Sequence, residues 1–355
     1  MVPFAGYEMP VQYPGGIIQE HRHTRTGACL FDISHMGQIQ CTGPQASTEL
    51  EKVTPADLTG LATRRQIYTV MTNDAGGIID DIMITRTPTG FYIVLNAACA
   101  DKDIKHLRTM LGSSCNLEIM NNHSLIALQG PAAASVLTGF AGDIGALPFQ
   151  HSGEFVINGI RCVINRSGYT GEDGFEISVA SEKVEALARE LLTDDKVRPA
   201  GLGARDSLRL EAGLCLYGHD IDEETTPVEA DLGWVIAKKY RGDNIVKAEF
   251  PGAEKILGQL KNGTDKIRTG FRPEGKIPVR DGTEIFCNSG ATAGIVTSGG
   301  FGPTLGGPIA MGYIQTQYAD PARSLMVEVR GRNLNVQLVK LPFVPHRYFK
   351  RQRSS

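Results

Sequence analysis

The sequence predicts an α+β fold, with two α+β units followed by a C-terminal all-β barrel or sandwich. Glycine supplies 41 of 355 residues, about 12%, against a usual level of about 7%, and the many turns this implies favour sheets over helical bundles. Up to about residue 250, runs rich in β-branched and aromatic residues are interspersed with amphipathic helical segments; beyond it, short alternating runs dominate. The length exceeds what one core usually supports, so two or three domains are expected.

The first unit contains a short helix at 15–27, ended by glycine, and then a strand at 30–40. A helix starts after Gly43-Pro44, because proline is tolerated in a first helical turn. Three strands follow at 68–72, 77–85 and 91–96, the first two joined by the turn residues 73–77. A helix at 102–111 completes this unit.

The second unit resembles the first, with a strand at 124–128 and a helix after Gly130-Pro131. An Asn-Gly hairpin is expected over 154–164, followed by amphipathic helices at 182–193 and 203–216. Gly-Pro precedes a helix in both units, which is compatible with an internal duplication. The C-terminal part, from about Pro251, shows strand patterns at 283–286, 293–297 and 325–329.

Composition excludes several classes of function. There are 36 basic and 39 acidic residues, a net charge of −3, and no Lys/Arg clusters, so neither nucleic acid nor an anionic membrane is expected as a partner. Apolar runs are shorter than the roughly 18 residues a membrane helix needs. No signal or transit peptide is expected in this chain. Seven scattered cysteines without a C-x-x-C pair indicate reduced thiols in an intracellular compartment.

Familiar mechanistic motifs are missing. The sequence has no phosphate-binding G-x-x-x-x-G-K-[ST], no G-x-S-x-G elbow and no H-E-x-x-H. The glycine-rich run 298–307 contains Pro303 and precedes no predicted helix, so we expect a set of turns there. His21 and His23 point to different faces of the predicted helix, and no metal site is expected.

Asp80 and Asp81 are adjacent in the predicted strand 77–85. Because successive side chains point to opposite faces of a strand, one carboxylate must face the apolar side. An acid among Ile and Met side chains is costly unless it is hydrogen-bonded or meets a polar ligand. The competing interpretation is a hairpin end with both acids in water.

Two further candidates lie near glycine-rich turns. Glu176 alternates with apolar neighbours after the turn 167–174, so it points either to solvent or into a cavity opposite the core. Tyr169 in that turn offers a stacking surface, or is simply packed. Arg205 falls in the first turn of the helix predicted over 203–216, where the helix dipole disfavours a cation. Its placement indicates an anionic or carbonyl partner; the alternative is a plain surface arginine.

At these residues the sequence resembles the T-protein family of the glycine cleavage system, the aminomethyltransferases. The resemblance runs in order from Phe4 to about Tyr348. It is carried by FDISHMG (31–37), GGIIDD (76–81), ALQGP (127–131), GYTGEDGFE (168–176), GARDSLRLEAGLCLYG (203–218), TPVE (226–229), TSG (297–299) and PFVP (342–345).

The resemblance implies three domains around a central cavity that holds tetrahydrofolate. The expected divisions are a discontinuous folate-binding α+β domain of residues 1–40 and 123–240, an α+β domain of 41–122, and a barrel-like domain of 241–355. The implied reaction takes the aminomethyl group from the lipoyl arm of H protein. Its products are 5,10-methylenetetrahydrofolate, ammonia and dihydrolipoyl H protein, with tetrahydrofolate as co-substrate and no metal.

The resemblance also implies roles for residues. Asp81 matches the catalytic aspartate, which holds folate nitrogens and stabilises the cationic iminium formed as the carbon–sulfur bond breaks. Glu176 matches the carboxylate that pairs with the pterin, and Arg205 matches a folate-contacting arginine. Further pocket positions are matched by Tyr68, Met36, Asn96, Tyr169 and Tyr348. The implied partner is lipoylated H protein, in the mitochondrial matrix of a eukaryote or the cytoplasm of a bacterium.

Two rival functions fit less well. Oxidative demethylases of sarcosine or dimethylglycine carry a similar folate domain, but they need a flavin-binding module for which this chain has no room. Folate-binding accessory proteins of iron–sulfur assembly carry a cysteine in their glycine turn. The corresponding turn here is GYTGEDG (168–174), without cysteine.

Overall fold

The computed structural model describes residues 1–242 and 246–349. The helices are α1 (Ile17–Thr26), α2 (Ala46–Leu50), α3 (Ala100–Leu111), α4 (Ala133–Ala141), α5 (Ser181–Leu191), α6 (Leu202–Glu211) and α7 (Ala253–Asn262). The strands are β1 (Val2–Phe4), β2 (Tyr7–Met9), β3 (Ala28–Asp32), β4 (Gly37–Thr42), β5 (Gln66–Thr72), β6 (Ile78–Arg86), β7 (Gly90–Leu95), β8 (Asn116–Ile119), β9 (His123–Gln129), β10 (Ser152–Ile157), β11 (Ile160–Asn165), β12 (Gly174–Ala180), β13 (Val197–Pro199), β14 (Lys266–Pro273), β15 (Glu284–Cys287), β16 (Thr292–Gly302), β17 (Gly307–Gln315), β18 (Leu325–Val329) and β19 (Arg332–Val339). Short 3₁₀ helices occupy Asp143–Ala146, Gly233–Val235, Lys238–Tyr240 and Thr316–Tyr318.

The strands form two mixed α+β layers and a closed barrel. One sheet has the order β10-β11-β12-β9-β3-β13, with only its β3-β13 pair parallel, and a second has the order β5-β6-β7-β4-β8. Strands β14-β17-β16-β15-β18-β19 close the barrel, because β14 pairs with both β17 and β19. The predicted α+β fold with a C-terminal β-barrel is therefore confirmed.

The two α+β layers repeat one order of elements. Each begins with a strand (β4 or β9), continues through a short helix (α2 or α4) and three antiparallel strands, and ends with a helix and a strand. In both sheets the first strand lies beside the last of the three, giving the matching orders β5-β6-β7-β4 and β10-β11-β12-β9. The glycines before the short helices, Gly43 and Gly130, also share positive φ angles of 142° and 130°. This correspondence supports the internal duplication indicated by the sequence.

Separate apolar cores hold these layers. Phe175 and Ile177 of the six-stranded sheet pack with Leu187 of α5, and Ile82 of the five-stranded sheet packs with Leu107 of α3. A further cluster joins the opposite faces of the two sheets to α6, through residues that include Phe31, Tyr92, Val94, Ala127 and Leu208. The cavity described below lies between these two sheets, α6 and the barrel.

The strand predicted over 30–40 is wrong, because it is two strands in different sheets. β3 ends at Asp32, the backbone turns with Met36 N donating to Ile33 O at 3.0 Å, and β4 begins at Gly37. The Asp32 side chain accepts from Ser34 N at 2.9 Å, an Asx turn that a continuous apolar pattern conceals. The turn carries the chain from one sheet to the other.

Three further expectations need correction. The helix predicted over 203–216 ends at Glu211, because Gly213 takes a left-handed φ of 67° and turns the chain. The C-terminal part is not all-β from Pro251, since α7 precedes the barrel. The run 298–307 is not simply a set of turns: residues 298–302 belong to β16, where an added Cβ at Gly299 would lie 2.0 Å from Val279 O. Only 303–306 form the turn before β17.

The other predicted elements form within a few residues of their expected bounds. The Asn-Gly hairpin is confirmed, with Asn158 and Gly159 at φ 46° and 80°, as a two-residue turn between strands requires. No helix within 1–242 or 246–349 combines the length and apolarity needed to cross a bilayer. The predicted domain boundaries stay a prediction, and residues 243–245 and 350–355 of the last expected domain lie outside the described residues.

We predict that Gly77→Ala destabilises the protein. A Cβ at this position would lie 1.7 Å from the Glu223 carbonyl oxygen, where β6 starts against the segment that precedes the barrel. The expected loss in unfolding free energy is about 1–3 kcal/mol, measured by urea denaturation. Gly139→Ala in α4 is the control, because its Cβ meets nothing within 4 Å, and it should stabilise the helix by about 0.5–1 kcal/mol. Equal stability of the two variants would contradict this packing.

Candidate functional site

A cavity of about 930 Å³ lies between the two sheets, α6 and the barrel. Its walls come from each unit: Asp81 from the five-stranded sheet, Glu176 from the six-stranded sheet, Arg205 from α6 and Arg268 from the barrel. All eight residues singled out from the sequence line this cavity: Met36, Tyr68, Asp81, Asn96, Tyr169, Glu176, Arg205 and Tyr348. The structure thus brings them together, although they span more than 300 positions of sequence.

The paired acids point to opposite sides of β6. Asp80 is fully buried on the face that carries Ile82 and Ile84 toward α3, whereas Asp81 lines the cavity and is half-buried. The expectation that one acid faces the apolar side is confirmed, and the alternative with both acids in water is wrong. Burial, and then the charge of Asp80, raises the pKa of Asp81 to about 7.

Asn96 binds both carboxylates. It follows β7, and its Nδ2 donates to Asp80 Oδ1 at 2.9 Å and to Asp81 Oδ1 at 2.8 Å, while its backbone N donates to Asp80 Oδ2 at 3.1 Å. This amide compensates part of the cost of placing two acids side by side away from water. It also fixes the direction in which the Asp81 carboxylate faces the cavity.

Tyr68 and Trp234 form an aromatic wall next to Asp81. Their rings stack at a centroid distance of 5.5 Å with an interplanar angle of 27°. Trp234, on a 3₁₀ helix after α6, is 58% exposed, so its indole lies at the rim of the cavity. Flat aromatic faces at this position suit the rings of a planar ligand.

Glu176 points into the cavity rather than to bulk solvent. Its neighbours Phe175 and Ile177 are fully buried in the core behind the sheet, so alternation sends the carboxylate to the opposite face. Ser167 donates its hydroxyl to Glu176 Oε2 at 2.7 Å. The other carboxylate oxygen, Oε1, is left to accept from a ligand.

Arg205 also faces the cavity, so the surface-arginine alternative is wrong. Its guanidinium carbon lies 4.8 Å from the centroid of the Tyr169 ring, and its Nη1 is buried without a hydrogen-bond partner among the described residues. Burial lowers the pKa of Arg205, opposed by the charge of Glu176. Tyr169 is held in place because its hydroxyl donates to the Cys215 carbonyl oxygen.

The remaining two predicted residues close the cavity from other directions. Met36 lies in the turn between β3 and β4 and packs against the cluster between the sheets. Tyr348 belongs to the segment after the barrel, which crosses back to the six-stranded sheet. Its ring stacks on Phe149 with centroids 4.3 Å apart and planes within 10°.

Sequence reasoning missed His35, which also lines the cavity. Burial, and then the charge of Arg205, lowers the pKa of His35 to about 4, so its ring is neutral. Its Nδ1 is buried without a partner among the described residues, and Phe4 packs edge-on against the ring at 5.4 Å. The sequence feature that could have indicated His35 is the turn at 33–36, but the prediction of one continuous strand over 30–40 left no turn there.

Arg209 and Asp220 were missed as well. Both side chains are buried, and Arg209 Nη1 donates to Asp220 Oδ2 at 2.9 Å. Asp220 also accepts from Thr297 at 2.5 Å and Ser298 at 2.8 Å, both in β16. Spacing alone offers no signal for the contacts of Asp220 with β16, because Thr297 and Ser298 lie 77 and 78 residues further along the chain.

The environments of His21 and of the cysteines bear on whether they could act as nucleophiles or metal ligands. His21 is buried and bonded to Ser207, Glu211 and Thr304 at 2.8–3.1 Å. All seven cysteines are free thiols. Cys99 lines the cavity, and burial raises its pKa. No group of three or more His, Cys, Asp or Glu side chains within 1–242 or 246–349 has the arrangement of a metal site.

The sequence matches two protein families over most of its length. Residues 1–240 match the GCVT N-terminal domain, and residues 266–345 match the glycine cleavage T-protein C-terminal barrel domain. The second match coincides with the closed barrel described above.

Individual proteins give the same result. The chain is 45% identical to the mitochondrial aminomethyltransferase of Saccharomyces cerevisiae, over 99% of this chain and 92% of that protein. It is 43% identical to the mitochondrial aminomethyltransferase of Dictyostelium discoideum, over 99% and 90%. The crystal structure of the glycine cleavage system aminomethyltransferase T of Bartonella henselae superposes with a TM-score of 0.91 at 42% identity, covering 98% and 95%.

The chain therefore belongs to the glycine cleavage T-protein family. It is an aminomethyltransferase of the glycine cleavage system, a class of enzyme that uses tetrahydrofolate as a substrate. The predicted family and activity are confirmed. The roles of individual residues stay predictions and are taken up below.

We predict that Asp220→Ala costs about 3–5 kcal/mol of unfolding free energy, because it leaves the buried Arg209 charge without its buried carboxylate partner. Asp206→Ala is the matched control. Asp206 also binds Arg209, at 2.8 Å, but its side chain is 59% exposed whereas that of Asp220 is fully buried. Loss of an exposed ion-pair partner costs about 0–1 kcal/mol of unfolding free energy. Urea denaturation of both variants measures the difference, and equal losses would show that burial of Asp220 contributes nothing.

Proposed function

We propose that the central cavity binds tetrahydrofolate and that Asp81 promotes transfer of the one-carbon unit within it. One observation carries this proposal: a carboxylate, a guanidinium and a second carboxylate from three different elements converge on one cavity lined by aromatic rings. The volume of about 930 Å³ falls within the range of small-molecule sites. The described side chains offer polar atoms that a folate would satisfy.

Glu176 is proposed to recognise the pterin. A pterin presents a ring N–H and an exocyclic amine side by side, and a carboxylate accepts both in a paired arrangement. Glu176 meets this requirement because it faces the cavity and, among the described residues, Ser167 alone donates to its carboxylate, at one oxygen. The Ser167 hydroxyl orients the carboxylate toward the ligand.

Arg205 is proposed to contact a carbonyl or anionic oxygen of the folate. The unpartnered Nη1 is a buried donor, and a buried donor without an acceptor costs about 1–3 kcal/mol. A ligand oxygen at this position removes that cost. The Tyr169 ring beneath the guanidinium holds it in place through a cation–π contact.

Asp81 is proposed to act electrostatically at the reacting carbon. Tetrahydrofolate supplies the two nitrogens that accept this carbon. As the carbon–sulfur bond of the aminomethyl group breaks, the sulfur keeps the electron pair and the carbon–nitrogen unit becomes cationic. An ionised Asp81, oriented by Asn96 at 2.8 Å, stabilises that cation in a site shielded from water. The folate N–H protons balance the reaction, one going to the sulfur and one to the departing ammonia.

The carrier of the one-carbon unit is proposed to be the lipoyl arm of H protein, whose partnership follows from membership of the glycine cleavage system. No cysteine of this chain is assigned a covalent role: burial raises the pKa of both thiols that line the cavity, Cys99 and Cys215, and so disfavours their reactive thiolate forms. We also propose that the reaction needs no metal. The eukaryotic relatives are named as mitochondrial, and we propose the mitochondrial matrix for a eukaryotic source of this chain, or the cytoplasm for a bacterial one.

We predict that Asp81→Asn lowers kcat on the order of 100-fold or more, because the isosteric amide keeps the shape and loses the charge. Asp80→Asn is the matched comparison and should cost much less, since Asp80 lies behind the strand. The assay follows transfer from aminomethylated H protein to tetrahydrofolate. Equal losses in kcat would overturn the assignment of Asp81.

The pH dependence gives a second measurement on these two variants. Protonation neutralises Asp81, so wild-type kcat should fall as the pH decreases through about 7. Asp80→Asn removes a negative charge that raises the pKa of Asp81, so the acid limb should move to lower pH. An unmoved limb would mean that another group titrates there.

We predict that Glu176→Gln and Arg205→Ala each weaken tetrahydrofolate binding by about 1.5–3 kcal/mol, because each removes a charged partner from a buried hydrogen bond. Quenching of Trp234, the single tryptophan, or calorimetry measures Kd. Glu185→Gln on the exposed face of α5 is the control and should bind normally, since Glu185 pairs with Arg189 at the surface and does not line the cavity. Normal binding by both site variants would place the folate elsewhere.

A further inference from the structure

A third acid lies behind the cavity wall and has no role in the mechanism above. Asp103, near the start of α3, is fully buried, and neither of its carboxylate oxygens has a hydrogen-bond donor among the described residues. A buried ionised carboxylate without donors costs several kcal/mol and is normally paired or neutral. Asp103 therefore requires a proton or a cation that the surrounding side chains do not supply.

Asp80 is the candidate acceptor for such a proton. It is fully buried on the face of β6 that packs toward α3, the helix that carries Asp103, and its carboxylate acts electrostatically on that of Asp103. Both Asp80 oxygens already accept from Asn96, at 2.9 and 3.1 Å, so Asp80 acts as an acceptor in this pair. Two adjacent buried carboxyls do not both ionise, so the remaining proton belongs on Asp103.

The other groups around Asp103 are consistent with this assignment. The titratable groups that influence it are Asp80 and Asp81 from β6 and Lys102 and Cys99 from its own helix. Lys102 cannot replace the proton, because its Nζ is held at 2.8 Å by both Ile79 O and Glu223 Oε1. Burial, and then the neighbouring Asp80 carboxylate, raises the pKa of Asp103 to about 10.

We infer that Asp103 is a positioning residue that stays protonated and donates its proton to Asp80. Asp80 can then accept from Asp103 while its two oxygens hold Asn96, which in turn orients Asp81 at 2.8 Å. The chain of hydrogen bonds runs from α3 through β6 to the residue after β7. The catalytic consequence rests on the proposed role of Asp81, whereas the protonation state of Asp103 does not.

Infrared spectroscopy tests the proton directly. At about pH 8.5 ordinary carboxyls are ionised, so an absorption band of a protonated carboxyl should be present in the wild type and in Asp81→Asn. The band should disappear in Asp103→Asn and persist in Asp101→Asn, an exposed neighbour on the same helix. The inference is overturned if the wild type shows no such band, or if the band survives in Asp103→Asn.

Thermal unfolding across pH gives an independent test. A carboxyl whose folded pKa is raised to about 10 stabilises the fold least at high pH, because the unfolded chain releases its proton near pH 4. The Tm of Asp103→Asn should therefore rise relative to the wild type as the pH increases from about 4 to about 10. A Tm difference that does not change with pH would contradict the inference. A wild-type Tm that depends on the concentration of Na⁺ or K⁺ would assign a cation to the site instead.

Kinetics test the positioning role. Asp103→Leu removes the donor and should lower kcat at least about 10-fold, with less than about 2-fold change in KM for tetrahydrofolate, and Asp103→Asn should recover most of the loss because its amide can donate to Asp80. If Asp103→Leu does not fold, the infrared band and the Tm profile of Asp103→Asn still test whether Asp103 is protonated. Equal kcat values for the Leu and Asn variants would overturn the positioning role. Failure of the proposed function would appear separately, as an Asp81→Asn enzyme with normal kcat.

Discussion

The buried ion pair between Arg209 and Asp220 is the contact on which the cavity depends. Arg209 lies in the last turn of α6, which packs against the six-stranded sheet, and Asp220 lies in the connection that leaves this helix. The same carboxylate accepts from Thr297 and Ser298 of the barrel. A buried charge cannot lose its partner cheaply, so the helix, the connection and the barrel are held together as walls of one cavity.

The connection from Ala212 to Glu223, which contains Asp220, also contacts two walls of the cavity. The Tyr169 hydroxyl donates a hydrogen bond to the Cys215 carbonyl oxygen, and the Tyr169 ring lies beneath the Arg205 guanidinium. Further along, Asp222 O accepts from Ile78 N at 2.9 Å, at the start of the strand that carries Asp80 and Asp81. A single segment therefore touches the wall proposed to bind folate and the strand proposed to carry the chemistry.

The two repeated units contribute different chemistry from a similar order of elements. One supplies a pair of acids on a strand, with Asn96 and Asp103 arranged to accommodate two carboxyls away from water. The other supplies Glu176 on the face of β12 that lines the cavity, with an apolar core behind it. Because both sheets and α6 line one cavity, the repeated units contribute the wall proposed to bind folate and the wall proposed to carry the chemistry.

The sequence by itself determined the fold class and the Asn-Gly hairpin, because these depend on local alternation and turn residues. It also determined the family and, through the family's ordered motifs, eight of the residues that line the cavity. It correctly placed one acid of the Asp80 and Asp81 pair on an apolar face, since the period of a strand is two. It left open whether Glu176 and Arg205 face water, and it missed His35, Arg209, Asp220 and Asp103. The environments of these residues depend on which elements pack together across long stretches of chain. Strand alternation places the Glu176 side chain on the face opposite the core, but it cannot say whether solvent or another domain covers that face. Only the tertiary structure decided that, because burial and charge pairing are properties of the packed domains and not of any one segment.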